Sequence, residues 1–458
     1  MSQRDRMTPL ELRASIALAG IFGLRLLGMF VILPVFAIYA ERLPGGSNLT
    51  LVGIAIGAYG LTQAVLQIPF GWWSDRYGRK PVIYAGLSIF ALGSLVAAAA
   101  PTLYVVIVGR VLQGAGAISA AVMAMAADLT REEQRTKAMA MIGSTIGLAF
   151  AVSLVASPWL NDHIGVPGIF AMTAVLALVA MLVVWRVIPD VVEVRGEPRG
   201  SALREFGAVI AVPQLARLNY GIFVLHAVLM ALFIAVPFAL RDAGLPVGEH
   251  WKVYLPVMLG SFVLMLPPIL MQGRAGQLKL YFVASVALLL VAHIALPWLV
   301  GGVLPIAVFL LLFFTPFNVL EALLPSLTAK LAPPGAKGTA IGVYSSVQFF
   351  GTFVGAALGG YAYGRWGLRG VVIADVLLLV MWLIVAFGMR VPPTLSTRTY
   401  TVPRLSSAEA ETLLTRLRLL PGVREAHVIA NERTAYLKVD SADFDEHNVL
   451  QTLTGKVS

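Results

Sequence analysis

Gly71-Trp72-Trp73-Ser74-Asp75-Arg76-Tyr77-Gly78-Arg79-Lys80 places two glycines, an acid and three cations between two long apolar runs, Thr50 to Phe70 and Pro81 to Ala100. Each run is long enough to cross a bilayer, which takes about 20 apolar residues. A charge at the bilayer centre costs at least about 2.5 kcal/mol. The short polar stretch must therefore turn at a membrane surface. The spacing G-x-x-x-D-R-x-G-R-K is specific enough to mark a motif, and Gly71, Asp75, Arg76, Gly78, Arg79 and Lys80 carry it.

Composition agrees with a polytopic membrane protein. Of 458 residues, 58% are hydrophobic and only 13% charged, where a soluble domain is nearer about a quarter charged. The absence of cysteine excludes disulfides, thiolate metal sites and cysteine nucleophiles together. The net charge of +10 does not point to nucleic acid. Through residue 398 there are 27 Lys and Arg against 16 Asp and Glu; beyond it there are 7 against 8. The excess belongs to the membrane part, where the positive-inside rule expects it. The first apolar run, 12–40, is too long for a signal h-region and reads as a retained helix.

Hydrophobic runs fall near 12–40, 51–73, 81–100, 102–127, 137–160, 165–188, 214–241, 248–272, 279–300, 302–332, 338–363 and 368–391. This predicts an all-α membrane bundle of twelve transmembrane helices. Eighteen Lys and Arg fall on the side of the N-terminus, and five on the other: Arg42, Arg241, Lys252, Arg365 and Arg369. Both termini are accordingly expected in the cytoplasm. The mixed-charge stretch 189–213 divides the spans six and six, as in two repeats related by an axis along the membrane normal. The expected domains are a first half over 1–190, a linker over 191–213 and a second half over 214–391. A faint echo of the opening motif, Gly273-Arg274-Ala275-Gly276-Gln277-Leu278-Lys279, lacks its acid.

Past Arg390 the composition turns soluble. Residues 392–398 read as a linker and 399–458 as a small α+β domain. Thr399 to Leu405 is strand-like, and Ser406 with Glu409 forms a capping box before Leu413, Leu414, Leu417 and Leu420. A hairpin around Asn431-Glu432 follows, with Ala435, Leu437 and Val439 on one face, and then a helix over 445–453. The order βαββα predicts a ferredoxin-like, cytoplasmic domain. Metal-binding domains of that fold carry C-x-x-C after the first strand; Ser406-Ser407 stand there, so no metal is expected.

The opening motif resembles the loop 2–3 signature of the major facilitator superfamily (MFS) of transporters. Arg110-Val111-Leu112-Gln113-Gly114-Ala115-Gly116 is similar to that family's R-x-x-Q-G-x-G stretch, and Asp128 through Arg135 and Lys137 to its acidic-then-basic loop 4–5. The resemblance covers about residues 10–391. With the cytoplasmic tail, it extends to the YajR type of bacterial inner-membrane transporter, whose tail is a YAM domain and which is usually grouped with drug:proton antiporters. Antiporters of this kind often carry G-x-x-x-G-P-x-x-G-G in the fifth helix. Here Gly143 and Gly147 are followed by Leu148, Ala151 and Val152, which departs from it.

The resemblance implies that the second span lies against the eleventh, whose N-terminus is near Gly338-Thr339. Asp75, held by Arg79 and by Asp128, would then latch the halves on the cytoplasmic side, because a carboxylate at a helix N-terminus gains about 0.3–2 kcal/mol. Gly53 and Gly57 in span 2, with Gly351, Gly355 and Gly359 in span 11, are read as the opposing seal, since small residues four apart let helices approach in lipid.

Ionisable residues inside spans are expensive and therefore functional candidates. Glu321 is the first choice for a proton carrier, with His226 and Asp375 behind it. In the MFS arrangement spans 1, 2, 4, 5, 7, 8, 10 and 11 line the cavity. Arg25, Arg110, Gln113, Gln63, Gln67, Asn318, Tyr344 and Gln348 become cavity candidates. Asp375 and His293 fall on spans 12 and 9, where a buried structural pair is expected.

The leading expectation is a secondary transporter working by alternating access, with proton-coupled export of small amphipathic compounds. It would use the proton gradient and no cofactor, and would act as a monomer. A uniporter or importer of an organic anion, favoured by two membrane arginines, and a sensor acting through the tail are the alternatives. No Walker loop, G-x-S-x-G or H-E-x-x-H is present, so no enzyme is expected.

Overall fold

The computed structural model describes residues 7–189, 202–271, 277–333, 336–389, 395–402, 406–429, 434–440 and 444–454. It divides into two compact units: 1–266 with 282–389, and 267–281 with 390–458. The echo at 273–276 and the hairpin turn at Asn431-Glu432 lie outside the described residues.

The first unit is helical. Its elements are α1 (Pro9–Phe30), α2 (Leu33–Ala40), α3 (Leu49–Tyr77), α4 (Arg79–Ala98), α5 (Leu103–Ala115), α6 (Ser119–Asp128), α7 (Glu132–Val187) and α8 (Ala202–Ile210). They continue as α9 (Pro213–Asp242), α10 (Trp251–Met271), α11 (Gln277–Leu299), α12 (Val303–Leu331) and α13 (Lys337–Phe387), with residues 267–271 of α10 and 277–281 of α11 counted in the second unit. Side-chain caps mark several starts. Thr8 and Glu11 form a capping box on α1, Asn48 caps α3 and Thr102 caps α5.

Among the described residues, ten helices are long and apolar enough to cross a membrane. Twelve runs become ten helices because the breaks expected near 160–165 and 363–368 shrink to one residue each. Gly165 (φ 65°) and Gly367 (φ 64°) kink α7 and α13 without an intervening loop. Only glycine takes that backbone conformation without strain. Two other spans are interrupted instead. The first breaks at Val31–Ile32 between α1 and α2, and the fourth unwinds over Gly116–Ile118 between α5 and α6.

Glycine governs the closest helix contacts. In lipid, helices gain nothing from hydrophobic association and must pack their backbones instead. On α3, a Cβ at Gly53 would strike the carbonyl of Ala356, one at Gly57 would lie 2.9 Å from Cα of Phe353, and one at Gly60 2.6 Å from the carbonyl of Phe349. Gly360 of α13 returns the contact against the Leu49 carbonyl. The row Gly351, Gly355 and Gly359 faces another way. It rests on Phe223, Ala227 and Ala231 of α9, with a Cβ at Gly359 2.7 Å from Cα of Ala231. Helix α13 is thus wedged between α3 and α9.

The second unit carries a three-stranded antiparallel sheet in the order β1-β3-β2, from β1 (Leu395–Thr401), β2 (Val423–Ile429) and β3 (Thr434–Asp440). Two helices accompany it, α14 (Ser407–Arg418) and α15 (Glu446–Thr454). With β3 between β1 and β2, the sheet is a split β-α-β unit. Strand β1 begins four residues before the sequence reading placed it, so Ser396 and Thr397 pair with Val439 and Lys438 and are not linker. The capping box at Ser406 and Glu409 is present, and its hydrogen bonds hold the Glu409 carboxyl below the usual carboxylate range. Ala435, Leu437 and Val439 are buried with Val402, Leu417, Val423, Ala426 and Val449.

Gly355→Leu forces a side chain into the Ala227 backbone, and overpacking of this kind costs about 1–3 kcal/mol. The purified variant is expected to melt below wild type, whereas Gly20→Leu, where a Cβ meets nothing within 4 Å, is expected to melt as wild type does. Equal melting temperatures for the two would remove the α9–α13 contact as a stabilising feature.

Candidate functional site

A polar cluster joins three helices of the second half. Glu321 comes from α12, His226 from α9, and Gln348 and Tyr344 from α13. Nε2 of Gln348 donates to Oε1 of Glu321 at 3.2 Å and lies 2.9 Å from Nε2 of His226. The carboxylate Oε2 and the imidazole Nε2 are 4.0 Å apart. The Glu321 side chain is 26% exposed and that of His226 only 7%. Oε2 of Glu321 and the Tyr344 hydroxyl are buried without a hydrogen-bond partner. The cluster borders an aromatic wall. Phe317 lies 6.0 Å from the His226 ring, and Phe150 of α7 packs on Phe233, Phe314 and Phe317.

Two arginines are buried inside spans of the first half, and among the described residues neither has an ion-pair partner. Arg25, 2% exposed, donates to Oγ of Ser119 at 2.9 Å and to Oε1 of Gln63. Gln63 in turn donates to Gln67 at 3.3 Å. Arg110, 1% exposed, donates to the carbonyls of Ala55 and Ile56 in α3 and to Oε1 of Gln113, while Gln113 donates to Ser94. Both guanidinium groups lie over the Tyr59 ring, at 5.7 and 5.1 Å. A guanidinium over an aromatic face gains about 2 kcal/mol when desolvated, which offsets part of the missing counter-charge. The sequence reading offered both as cavity groups; the structure ties Arg110 to the backbone of a neighbouring span. Ser119 and Tyr59 are outside that reading, because only the fold brings these two side chains beside Arg25. The unwound Gly116–Ile118 segment that aims Ser119 at Arg25 left a signal in Gly114 and Gly116.

At the Asp75 end, Arg79 bonds Asp75, the Ser74 hydroxyl at 2.7 Å and Asp128 at 2.9 Å. Gly71, Ser74, Asp75, Arg79, Asp128 and Arg135 line a cavity of about 250 Å³ together with alanines of α6. Arg76 stacks on Trp72 and Tyr77, and Gly78, at φ 92°, turns the chain from α3 into α4 just before Lys80. The predicted Arg79 bridge to both acids is therefore present. The contact of Asp75 with the start of α13 is not. The Asp75 side chain is 67% exposed and, among the described residues, no bond joins it to α13. Among the described residues, a Cβ at Gly338 or Gly342 would meet nothing within 4 Å, so the face of α13 that carries these two glycines is uncovered.

The opposite end is closed. Gly53, Gly57 and Gly60 press on α13, Arg241 bonds Glu41 at 2.6 Å, and the Asp162 carboxylate sits against the Gly248 backbone. Here the assignment of the seal needs correction. Gly53 and Gly57 do face span 11, but Gly351, Gly355 and Gly359 serve the α9 contact, and Gly360 faces α3. A row of three glycines opens one face of a helix, and its sequence does not say which neighbour fills it. Another ion pair not anticipated is Glu11, 4% exposed, which accepts from Arg131 Nε at 2.9 Å and from its backbone N–H at 2.9 Å.

Asn318 donates to Ser261 at 3.0 Å and stays apart from the Glu321 cluster's hydrogen bonds. Asp375 and His293 lie side by side, Oδ2 to Nε2 3.6 Å, with side-chain exposures of 3% and 0%. Nδ1 of His293 faces the Leu289 carbonyl at 2.8 Å and so carries its hydrogen there. The remaining lone pairs of Nε2 and Oδ2 face each other unpartnered, an arrangement that one shared proton satisfies. The pair is buried and stands apart from the Glu321 cluster's hydrogen bonds. Asp375→Asn, whose amide donates to Nε2 without any added proton, is expected to melt like wild type. Asp375→Ala leaves Nε2 buried and unpaired, at a cost of about 1–3 kcal/mol. A lower melting temperature for Asn than for Ala would reverse this assignment.

Residues 18–355 match the Major Facilitator Superfamily, and residues 402–449 match the YajR YAM domain. The chain is 44% identical over 449 residues to the inner membrane transport protein YajR of Escherichia coli strain K12, covering 98% of each. It is 23% identical over 363 residues to multidrug resistance protein 2 of Bacillus subtilis, covering 76% of this chain and 88% of that one. In fold it is similar to a bacterial homologue of the human lysosomal transporter Spinster, crystallised inward-facing, at TM-score 0.67 and 15% identity, covering 84% and 97% of the two chains. A multi-pass helical bundle, a motif with its Arg79 bridge in place and a matching tail domain lead to one assignment: the chain belongs to the Major Facilitator Superfamily of membrane transporters.

Proposed function

We propose that this chain is a proton-coupled secondary transporter that exports small amphipathic compounds by alternating access. The observation that carries the reading is Glu321, a carboxylate inside the bundle whose partners are an amide and an imidazole, with no arginine or lysine bonded to it among the described residues. A carboxylate permanently paired with a cation would resist protonation; one held by neutral groups in an apolar setting can take up and release a proton. The aromatic wall around Phe150 and Phe317 suits an apolar cargo surface. The drug-resistance relative supports export of such compounds by analogy.

The kinks at Gly165 and Gly367 support twelve spans, and the distribution of Lys and Arg supports termini in the cytoplasm. In that orientation this conformation is inward-facing, closed at Glu41 and Arg241 and parted at Asp75. The Asp75 latch to the start of α13 then belongs to the outward-facing state. The sheet order β1-β3-β2 supports a ferredoxin-like tail. A second reading, transport of an organic anion, is favoured by Arg25 and Arg110, buried without carboxylate partners.

Internal pH in proteoliposomes, followed as lipophilic cations and organic anions are added, tests the coupling. Wild type should move protons with a cation substrate, and Glu321→Gln should not. Substrate flux without proton movement in wild type would establish a uniporter instead, and anion flux alone would favour the second reading. For the latch, Asp75→Asn is expected to increase labelling of a cysteine placed at Gly342, by raising the inward-facing population. Unchanged labelling would leave Asp75 as a topological anchor.

A further inference from the structure

We propose that Gln348 competes with the transported proton for Nε2 of His226, tying the loading of Glu321 to the position of α13. This rests on the proton-coupled reading above. The Gln348 amide nitrogen lies 2.9 Å from that ring nitrogen and 3.2 Å from Oε1 of Glu321. An amide nitrogen only donates, and an ionised carboxylate only accepts. In this arrangement His226 therefore presents a bare Nε2 lone pair, and the single amide bridges imidazole and carboxylate. The proton site is empty.

The second carboxylate oxygen, Oε2, is buried with no partner. A proton bound there turns Oε2 into a donor in need of an acceptor. Nε2 of His226 stands 4.0 Å away, and closing by about 1 Å makes the hydrogen bond. Nε2 has one lone pair, and Gln348 already occupies it. The amide and the proton exclude each other: loading Glu321 releases Gln348, and unloading recaptures it. The other titratable group facing Glu321 is Tyr344 of α13, whose buried hydroxyl has no partner.

The released amide has mechanical consequences because of its place on α13. Gly351, less than a turn beyond Gln348, rests on the Phe223 backbone, and Gly355 rests on that of Ala227. Those two α9 residues bracket His226. On its other side α13 meets α3 through Phe349, whose ring lies 6.4 Å from that of Tyr59. Proton loading therefore loosens a polar tie at the same helix contact along which α13 meets α9. Gln348 is a positioning residue in this scheme, acting through His226.

Proton uptake by the purified full-length protein, followed with a pH-indicating dye in weakly buffered detergent, tests the competition. The relevant uptake is the part that Glu321→Gln abolishes. Gln348→Leu removes a donor to the carboxylate and frees Nε2, so the uptake midpoint should rise by about one pH unit, about a tenfold gain in proton affinity. In a His226→Phe background the same substitution should move the midpoint by less than about half as much, since the contested lone pair is gone. Gln348→Met, closer in shape, serves in place of Leu if the latter fails to purify as a single species. No shift with Gln348→Leu or Gln348→Met, or equal shifts in the two backgrounds, would overturn the competition. Absence of Glu321-dependent uptake in wild type would instead overturn the proton-coupled reading on which it stands.

Discussion

Contact between helix backbones, permitted only by glycine, holds α13 between α3 and α9, and most of the functional geometry follows from it. Lipid removes the hydrophobic drive for helix association, so stability must come from close packing and interhelical hydrogen bonds. Gly53, Gly57 and Gly60 supply it on one side of α13, and Gly351, Gly355 and Gly359 on the other. Side chains are excluded along both contacts, which leaves α13 smooth faces against each neighbour. Tyr344 and Gln348 precede Phe349 and Gly351, where those contacts begin. The Glu321 cluster therefore lies beside the helix contact and does not interrupt it.

The two halves differ in how they treat buried charge. The first half satisfies Arg25 and Arg110 with neutral acceptors, Gln63, Gln113, Ser119 and two main-chain carbonyls, and with the face of Tyr59. The second half places its acids, Glu321 and Asp375, against imidazoles. Neither half neutralises the other through a direct ion pair at mid-depth. A permanent Arg–Glu bridge there would tie the halves together, and breaking such a buried pair costs about 3–5 kcal/mol. Keeping the charges apart, each within a network of neutral partners, leaves the halves free to separate.

Much of this was legible in the residues. The spans follow from composition, the Arg79 bridge to Asp75 and Asp128 from motif spacing, and the tail's first helix from Ser406 and Glu409, because each is set by local chemistry. The pairing of Asp375 with His293 also followed, once spans 12 and 9 were taken as scaffold. What escaped depends on neighbours in space. The Gly351 row marks a close contact without naming α9 as its partner. Ser119 and Tyr59 stand beside Arg25 only in the fold, and nothing in their spacing marks that role. Strand β1 opens with Leu395-Ser396-Thr397-Arg398, polar enough to pass for linker until it pairs with β3. A contact between Asp75 and α13 would depend on conformation, which one sequence shared by all states does not encode.

The two ends of the bundle close by different chemistry, and this sets the size of the conformational gap. Where it is closed, packing dominates: three glycines of α3 against α13 and the Phe150 contacts, with Glu41 and Arg241 an ion pair about 40% exposed. An ion pair that exposed contributes about 0–1 kcal/mol. At the parted end the available contact is a surface carboxylate approaching a helix start, worth about 0.3–2 kcal/mol. A charge latch of that size does not outweigh the packing by itself. It biases an equilibrium, and moving such an equilibrium from one side to the other takes a differential of about 5.5 kcal/mol. On the proposed reading the remainder comes from cargo and from the proton. That is the reason to look for coupling at Glu321, beside α13, and not at the surface motif by which the chain is first recognised.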